Sequence, residues 1–182
     1  MLQNQHAHVP LWAAILVLAC VVAPALRAQG TADSGAARDG LLLSIASDKQ
    51  TYRVGEPVAV TAGFTNVGDI DATFDRYNPA FFFFYKFIVV RTVGLDSAVV
   101  PLTEEGKRQT DARVWGSSFQ RKLKPNERDE AHFKLNELYD MSAPGVYKIL
   151  AIAHEATKNS GGTTVEFRSS LLTFTIEKGG TN

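Results

Sequence analysis

An alternation of apolar and polar side chains across residues 131–155 constrains the fold of this chain more than any other feature. Phe133 and Leu135 point to one side, while His132 and Lys134 point to the other, and this two-residue period is typical of a half-buried β-strand. A corner at 143–145 follows. Beyond it, the same period returns in four apolar residues, namely Tyr147, Ile149, Ala151 and Ala153. The segment therefore predicts two successive strands that bury one face each.

The same alternation continues through most of the chain, with turns at intervals of roughly ten residues. We predict strands at 41–45, 58–64, 72–77, 83–92, 99–103, 114–123 and 164–178. Asn66 to Asp69 is expected to form a turn, because Asn and Gly accept a positive φ. Val93-Gly94-Leu95-Asp96 is expected to form another. We predict no helix in this part of the chain beyond a single turn at 136–141. The pattern favours an all-β, antiparallel β-sandwich of about eight strands.

The first part of the chain is typical of a secretory signal, which we expect to form an N-terminal helix. Residues 11–26 are almost wholly apolar, and Ala23-Pro24-Ala25 supplies the small residues that a signal peptidase reads. We therefore predict a signal peptide at 1–28, cleaved after Ala25 or Ala28, a flexible linker at 29–40 and one domain at 41–178. The protein is expected to be periplasmic or extracellular. An uncleaved membrane tether is the alternative, although the run is shorter than the about 20 residues that span a bilayer.

Cys20 is the only cysteine of the chain. It follows Val17-Leu18-Ala19, a sequence similar to the box that precedes the lipid-bearing cysteine of bacterial lipoproteins, so lipidation at Cys20 is a second alternative. Against it, the residues after Cys20 stay apolar. Removal of residues 1–28 would leave a domain without disulfides, whose stability must come from its core.

The charge of the predicted domain is close to neutral. Residues 1–28 contain one base, Arg27, and no acid, while the whole chain carries equal numbers of bases and acids. A domain of this charge has no overall field that would attract nucleic acid or an anionic membrane. We predict no nucleic-acid partner.

Motifs that carry catalysis or bind metals are absent from the sequence. His154-Glu155 begins like a zinc-protease motif, but Lys158 stands where the second histidine is required. No Gly-x-Ser-x-Gly elbow and no phosphate-binding loop occur. Three acids at 69, 71 and 75 could surround calcium, but their spacing differs from a calcium loop. We predict no cofactor, no metal and no catalytic residues.

Two segments are candidates for binding. Exposed aromatic side chains would form a partner-binding surface, whereas buried ones would be core; the candidates are Tyr77, Phe81, Phe82, Phe84 and Tyr85. A basic segment could bind an anionic polymer or could be a solvated strand face, and its candidates are Trp115, Arg121, Lys122 and Lys124.

The corner resembles that of immunoglobulin-like β-sandwiches. Tyr147 corresponds to the tyrosine of their corner and Ile149 to the position of their second cysteine, although this chain lacks the cysteine pair and the tryptophan of antibody domains. The turn and corner segments at 52–57, 66–69, 123–127 and 138–147 are similar to those of two families. One is the BsuPI-type proteinase inhibitors, and the other is the N-terminal pro-region of deuterolysin-type metalloendopeptidases.

The resemblance and the missing catalytic motifs lead to one expectation about function. We expect a non-catalytic, exported Ig-like domain that binds another protein and inhibits or regulates a peptidase. The alternative is a module that binds an envelope polymer or a carbohydrate through the basic segment. A hydrolase of unrecognised type would need acids that converge on His132 or His154.

Overall fold

The computed structural model describes residues 35–78, 85–110, 117–156 and 164–179. These ranges contain ten β-strands and two short helices. The strands are β1 (Leu41–Ser47), β2 (Thr51–Arg53), β3 (Ala59–Asn66), β4 (Ala72–Asn78), β5 (Tyr85–Val93), β6 (Asp96–Val99), β7 (Ser117–Leu123), β8 (Arg128–Lys134), β9 (Gly145–Ala156) and β10 (Thr164–Glu177). The helices are α1 (Glu104–Thr110) and α2 (Leu135–Leu138). The chain is mostly β, which confirms the predicted fold class at that level.

The described strands form several sheets. One sheet has the order β1-β3-β8, a second has the order β2-β10-β9-β5-β6, and β4 pairs with β7 in a ribbon. All these pairings are antiparallel except that β2 runs parallel to β10. Because β4 follows β3 and β7 precedes β8, the ribbon continues the β3–β8 pair. The fold is thus sandwich-like, and several antiparallel neighbours, such as β3 with β8 and β5 with β9, come from distant parts of the chain.

The core lies between the three-stranded and the five-stranded sheet. Phe64 of β3 packs edge-on against Phe167 of β10, with 5.0 Å between their ring centroids. Phe133 of β8 does the same against Phe87 of β5, also at 5.0 Å. Each buried apolar side chain of this kind stabilises the fold by about 1.5–3 kcal/mol relative to an exposed one. The two-residue alternation along the strands supplies these side chains to the interior.

The corner before β9 has the geometry that the sequence predicted. Tyr147 and Ile149 are fully buried, and Leu138 is buried as well. The Tyr147 hydroxyl donates a hydrogen bond of 2.6 Å to the carbonyl oxygen of Ala143. Gly145 adopts a φ of 153° beside Arg91, a conformation that L-residues rarely take. These contacts fix the direction in which the chain enters β9.

Asn66 works differently from the prediction. The chain does bend after it, but neither Asn66 nor Gly68 has a positive φ. Instead the buried Asn66 amide donates hydrogen bonds to the carbonyl oxygens of Ile70 at 2.8 Å and Leu123 at 2.9 Å. Its side-chain oxygen accepts one from the Gly68 N–H at 2.9 Å. The side chain, and not a left-handed backbone, holds the junction between β3 and β4.

Two elements were absent from the sequence prediction. The short strand β2 lies beside β10, and its three residues are too few for an alternation to appear. Helix α1 begins after Thr103, whose hydroxyl accepts a hydrogen bond of 3.0 Å from the Gly106 N–H. Glu104 and Glu105 lie in its first turn, where acidic side chains stabilise a helix through its dipole. This signal was not used in the sequence prediction.

The predicted signal peptide and Cys20 lie outside the described residues. Of the predicted linker, only 35–40 is described. Gly35 lies so close to β10 that a Cβ there would meet the carbonyl oxygen of Arg168, and the Gly40 carbonyl accepts a hydrogen bond from Val67. Among the described helices, none has the length and apolar character needed to cross a bilayer.

Candidate functional site

The aromatic segment of the sequence analysis is only partly described. Tyr77 lies in β4 opposite Ser118, while Phe81, Phe82 and Phe84 fall outside the described residues. Tyr85 is 0% exposed, and its ring packs against Phe133 with 5.8 Å between centroids. Tyr85 is therefore part of the core and is not available to a partner.

The basic segment is neutralised by acids of the same chain. Arg121 lies 3.4 Å from Glu127 and 3.5 Å from Asp129. Lys122 lies 2.6 Å from Asp71. Lys124 is exposed, and Trp115 falls outside the described residues. Arg121 and Lys122 thus lie together at one end of β7, but their charge is balanced where they lie.

The two histidines of the predicted domain do not converge. His154 of β9 lies 3.1 Å from Glu166 on the outer face of the five-stranded sheet. His132 of β8 contacts Thr61 at 2.9 Å in the other sheet. Within the described ranges, no group of three potential metal ligands occurs. Among the described side chains, the acid Glu166 lies beside His154, in a different sheet from His132.

A hairpin at one end of the five-stranded sheet is the most exposed apolar feature of the described chain. β5 and β6 are joined by a two-residue turn at Gly94 and Leu95, as the sequence predicted for this turn. Leu95 is 103% exposed, Val99 is 73% exposed and Val93 is 54% exposed. The predicted strand at 99–103 shares only Val99 with β6, because the tight turn lets pairing start at Asp96 and the strand ends before Pro101.

A cavity of about 200 Å³ lies beside this hairpin. Its strand wall is formed by Arg91 of β5 and by residues 98–101, and its other wall is the loop before β9. The Asp140 N–H donates a hydrogen bond of 2.9 Å to the Pro101 carbonyl oxygen, which holds the loop against the end of β6. Ser142 and Ala143 complete the loop wall. The tyrosine corner thus forms one side of the cavity.

Two side chains of opposite charge line the cavity, Arg91 and Asp140. Asp140 accepts hydrogen bonds from the Ser142 hydroxyl at 2.6 Å and from the Ser142 N–H at 3.2 Å. These bonds, with a smaller contribution from the Arg91 charge, lower the pKa of Asp140. Burial raises the pKa of the Tyr147 hydroxyl, and the Arg91 charge opposes that rise. Arg91 therefore acts on Asp140 through its charge, and on Tyr147 through both its charge and a side-chain hydrogen bond.

Arg91 differs from most arginines of the described chain. Four others form ion pairs, namely Arg108 with Glu105, Arg121 with Glu127, Arg128 with Glu130 and Arg168 with Glu166. Arg91 is half-buried, and the described residues place no carboxylate within ion-pair distance of it. Its guanidinium keeps donors that a bound carboxylate could use.

Sequence reasoning missed this site because its parts come from three separate segments. Arg91 takes the next inward position of β5 after the buried Phe87 and Val89, but nothing near it in the sequence links it to the corner. Asp140 and Ser142 lie in the corner, where their types are typical of any turn. The one available signal was the turn at 93–96, which places the apolar Leu95 at the tip of a hairpin.

Comparison with known proteins gives no family for the chain. No family model matches the sequence, and no curated protein is detectably similar to it.

Proposed function

We propose that this protein is an exported Ig-like domain that acts by binding another protein and has no catalytic activity of its own. The observation that carries the proposal is the β5–β6 hairpin, which presents Val93, Leu95 and Val99 to solvent at the edge of a sheet. Leu95 lies at the tip of the hairpin, while Val93 and Val99 point to opposite faces of it, so a partner that covers all three would enclose the end of the hairpin.

Three features support the Ig-like assignment. The order β1-β3-β8 corresponds to strands A, B and E, and β10-β9-β5-β6 corresponds to G, F, C and C′ of a variable-type domain. The Tyr147 hydroxyl bonds to a backbone carbonyl four residues upstream, as in a tyrosine corner. The parallel pairing of β2 with β10 suits a short strand that follows strand A and joins the second sheet.

A peptidase is the partner to test first, because the corner and turn segments resemble BsuPI-type inhibitors and the pro-region of deuterolysin-type metalloendopeptidases. The purified protein should inhibit or bind exported peptidases. Replacement of Leu95 by Asp should weaken that binding at least tenfold, because it puts a charge at the centre of the apolar contact. Ile70→Asp is the matched control, since Ile70 is 70% exposed in a loop away from the hairpin. Equal binding by both variants would remove the hairpin from the proposal.

Export is the second half of the proposal and depends on the apolar run at 11–26. N-terminal sequencing of the protein recovered from a bacterial periplasm or medium tests it. We expect a mature chain that begins at Leu26 or Gln29. A blocked N-terminus at Cys20 with an attached acyl chain would replace cleavage by lipidation.

Polymer binding through the basic segment is less well supported. Arg121 and Lys122 are already paired with carboxylates, so a polyanion would have to displace them. A salt-sensitive interaction that Arg121→Ala and Lys122→Ala weaken would favour this alternative over protein binding.

A further inference from the structure

We infer that the edge of β6 binds an extended peptide segment of another protein, and that an acidic side chain of this peptide meets Arg91 in the adjoining cavity. The inference rests on the proposed protein-binding function and names the chemistry of the partner. Three observations support it: the pairing of β5 with β6, the exposure of the edge and the charge of the cavity.

The hydrogen-bond register leaves backbone groups of β6 free to bind a further strand. The Val100 N–H donates a bond of 2.9 Å to the Val89 carbonyl oxygen, so this residue pair is a hydrogen-bonded one. In an antiparallel pair such residue pairs alternate with non-bonded ones. Ser97 and Val99 fall at the non-bonded positions, opposite Thr92 and Val90. Their N–H and C=O groups therefore point away from β5.

β6 is also the least protected of the outer strands in the two larger sheets. All four of its residues are exposed, whereas β1, at the edge of the other sheet, has no exposed residue. The outer strand β8 carries the charged side chains Arg128, Glu130 and Lys134, which discourage strand addition. An extended peptide can add to an unprotected edge through main-chain hydrogen bonds.

The same register selects the side chain that enters the cavity. Ala98 lies opposite Arg91 in the β5–β6 pair. A peptide residue opposite Ala98 would point to the same face of the sheet as Ala98 and Arg91. Adjacent strands are about 5 Å apart, so this residue and Arg91 would be about 10 Å apart at their backbones. Because Ala98 between them is small, a carboxylate side chain and the Arg91 side chain can meet above it.

Charge complementarity favours an acidic residue at the peptide position opposite Ala98. Arg91 is half-buried and has no ion pair among the described residues, and a guanidinium binds a carboxylate through two parallel hydrogen bonds. Asp140 lies on the opposite wall, but both hydrogen bonds from Ser142 engage its carboxylate. Asp140 would repel the incoming acid partially, so its charge sets a limit on the affinity.

A displayed library of seven-residue peptides, selected on the purified protein, tests the inference. We expect peptides enriched in β-branched residues with Asp or Glu at one fixed position. A fluorescent copy of a selected peptide should bind at least tenfold more weakly when that acid is replaced by its amide. Arg91→Gln should remove this difference between acid and amide, whereas Arg168→Gln, on the outer face of β10, should leave it unchanged.

The edge itself is tested by a matched pair of substitutions at one position. Ser97→Pro removes an N–H that points away from β5, and proline is tolerated on an edge strand. Ser97→Ala keeps the N–H and loses the same hydroxyl contact with Thr92. We expect Ser97→Pro to abolish peptide binding and Ser97→Ala to retain it, with both variants folded by circular dichroism.

Several outcomes would overturn the inference. Selected peptides without an acid, an acid preference that survives Arg91→Gln, or equal binding by Ser97→Pro and Ser97→Ala would each do so. A dimer that Ser97→Pro dissociates and that peptide does not displace would assign the edge to a second copy of this chain. If a peptidase still binds through Leu95 in any of these cases, the proposed function survives while the peptide site does not.

Discussion

Two polar clusters of this protein differ in where their hydrogen bonds go. The Asn66 amide is fully buried and directs its donors and acceptor to three backbone groups of its own chain. Arg91 is half-buried beside a cavity and has no ion pair in the described part of the chain. A polar group that is satisfied internally stabilises the fold, whereas one with unused donors at the surface is available for a ligand. Asn66 therefore has a structural role, whereas Arg91 is suited to binding.

The largest effect on the structural side is expected at Asn66. Asn66→Ala leaves the carbonyl oxygens of Ile70 and Leu123 without their donor, and we expect a loss of about 3 kcal/mol in the free energy of unfolding. Chemical denaturation measures it. Val67→Ala, at an exposed neighbour, should change stability by less than about 0.5 kcal/mol. A loss of that small size at Asn66 would mean that the junction does not depend on its amide.

The second-largest effect is expected at alkaline pH, which should lower the free energy of unfolding. Burial raises the pKa of Tyr139 to about 12, and its neutral hydroxyl donates a bond of 2.7 Å to the Phe87 carbonyl oxygen. Folding therefore favours the protonated form, so this stability is complete below the unfolded pKa of about 10 and falls as pH rises from about 10 towards about 12. The slope should approach about 1.4 kcal/mol per pH unit for this group.

The variant Tyr139→Phe isolates this contribution. It should be less stable than the parent at neutral pH, because the Phe87 carbonyl loses its donor, but it should lose less stability above pH of about 10. Denaturation series at several pH values measure both changes. Identical pH profiles for the two proteins would assign the alkaline loss to other tyrosines, such as Tyr52, whose pKa burial also raises.

Tyr147 lies directly opposite Arg91 in the β5–β9 pair and should give an effect of intermediate size. Tyr147→Phe removes the bond to Ala143 but keeps the ring in the core, so we expect a loss of about 1 kcal/mol in stability. Because the corner forms one wall of the cavity, peptide binding should weaken as well, by about twofold to threefold. An unchanged affinity would show that the corner positions β9 only, and a much larger loss of stability would point to a rearranged corner.

The smallest effect on stability is expected in the cavity. Asp140→Asn should alter the free energy of unfolding by less than about 0.5 kcal/mol, since Asp140 is exposed. It should strengthen the binding of an acidic peptide about threefold, because it removes a like charge from the cavity. Fluorescence titration measures this, with Glu137→Gln as a control in the neighbouring helix. Weaker binding by Asp140→Asn would argue that the bound group is not an acid.

The strands were predictable because burial follows a simple period. The inward residues of β3, such as Val60 and Phe64, and those of β10, such as Phe174, are buried as their alternation predicts. Elements without a periodic pattern were not predicted. Strand β2 is too short to show one, and α1 depends on capping by Thr103 and on its contact with α2.

The candidate site could not be predicted, because its residues are not linked by any local period. Arg91 and Asp140 are separated in the chain by β6, α1, β7, β8 and α2, and no local pattern links them. The role of Asn66 was also missed, since the sequence shows an amide before a glycine but not the strand β7 that brings Leu123 to it. Partner choice between distant segments is set by register, which local patterns do not encode.

The sequence by itself determined that alternating side chains would form antiparallel sheets around an apolar core, that a tyrosine would close the corner, and that a tight turn would follow β5. These features depend on neighbours a few residues apart. Only the tertiary structure decided which strand would be left at an edge, and which arginine would lie beside a cavity without an ion pair to the described residues. Those outcomes depend on the order and register of strands that are distant in the chain, because cross-strand contacts, not local preferences, set them.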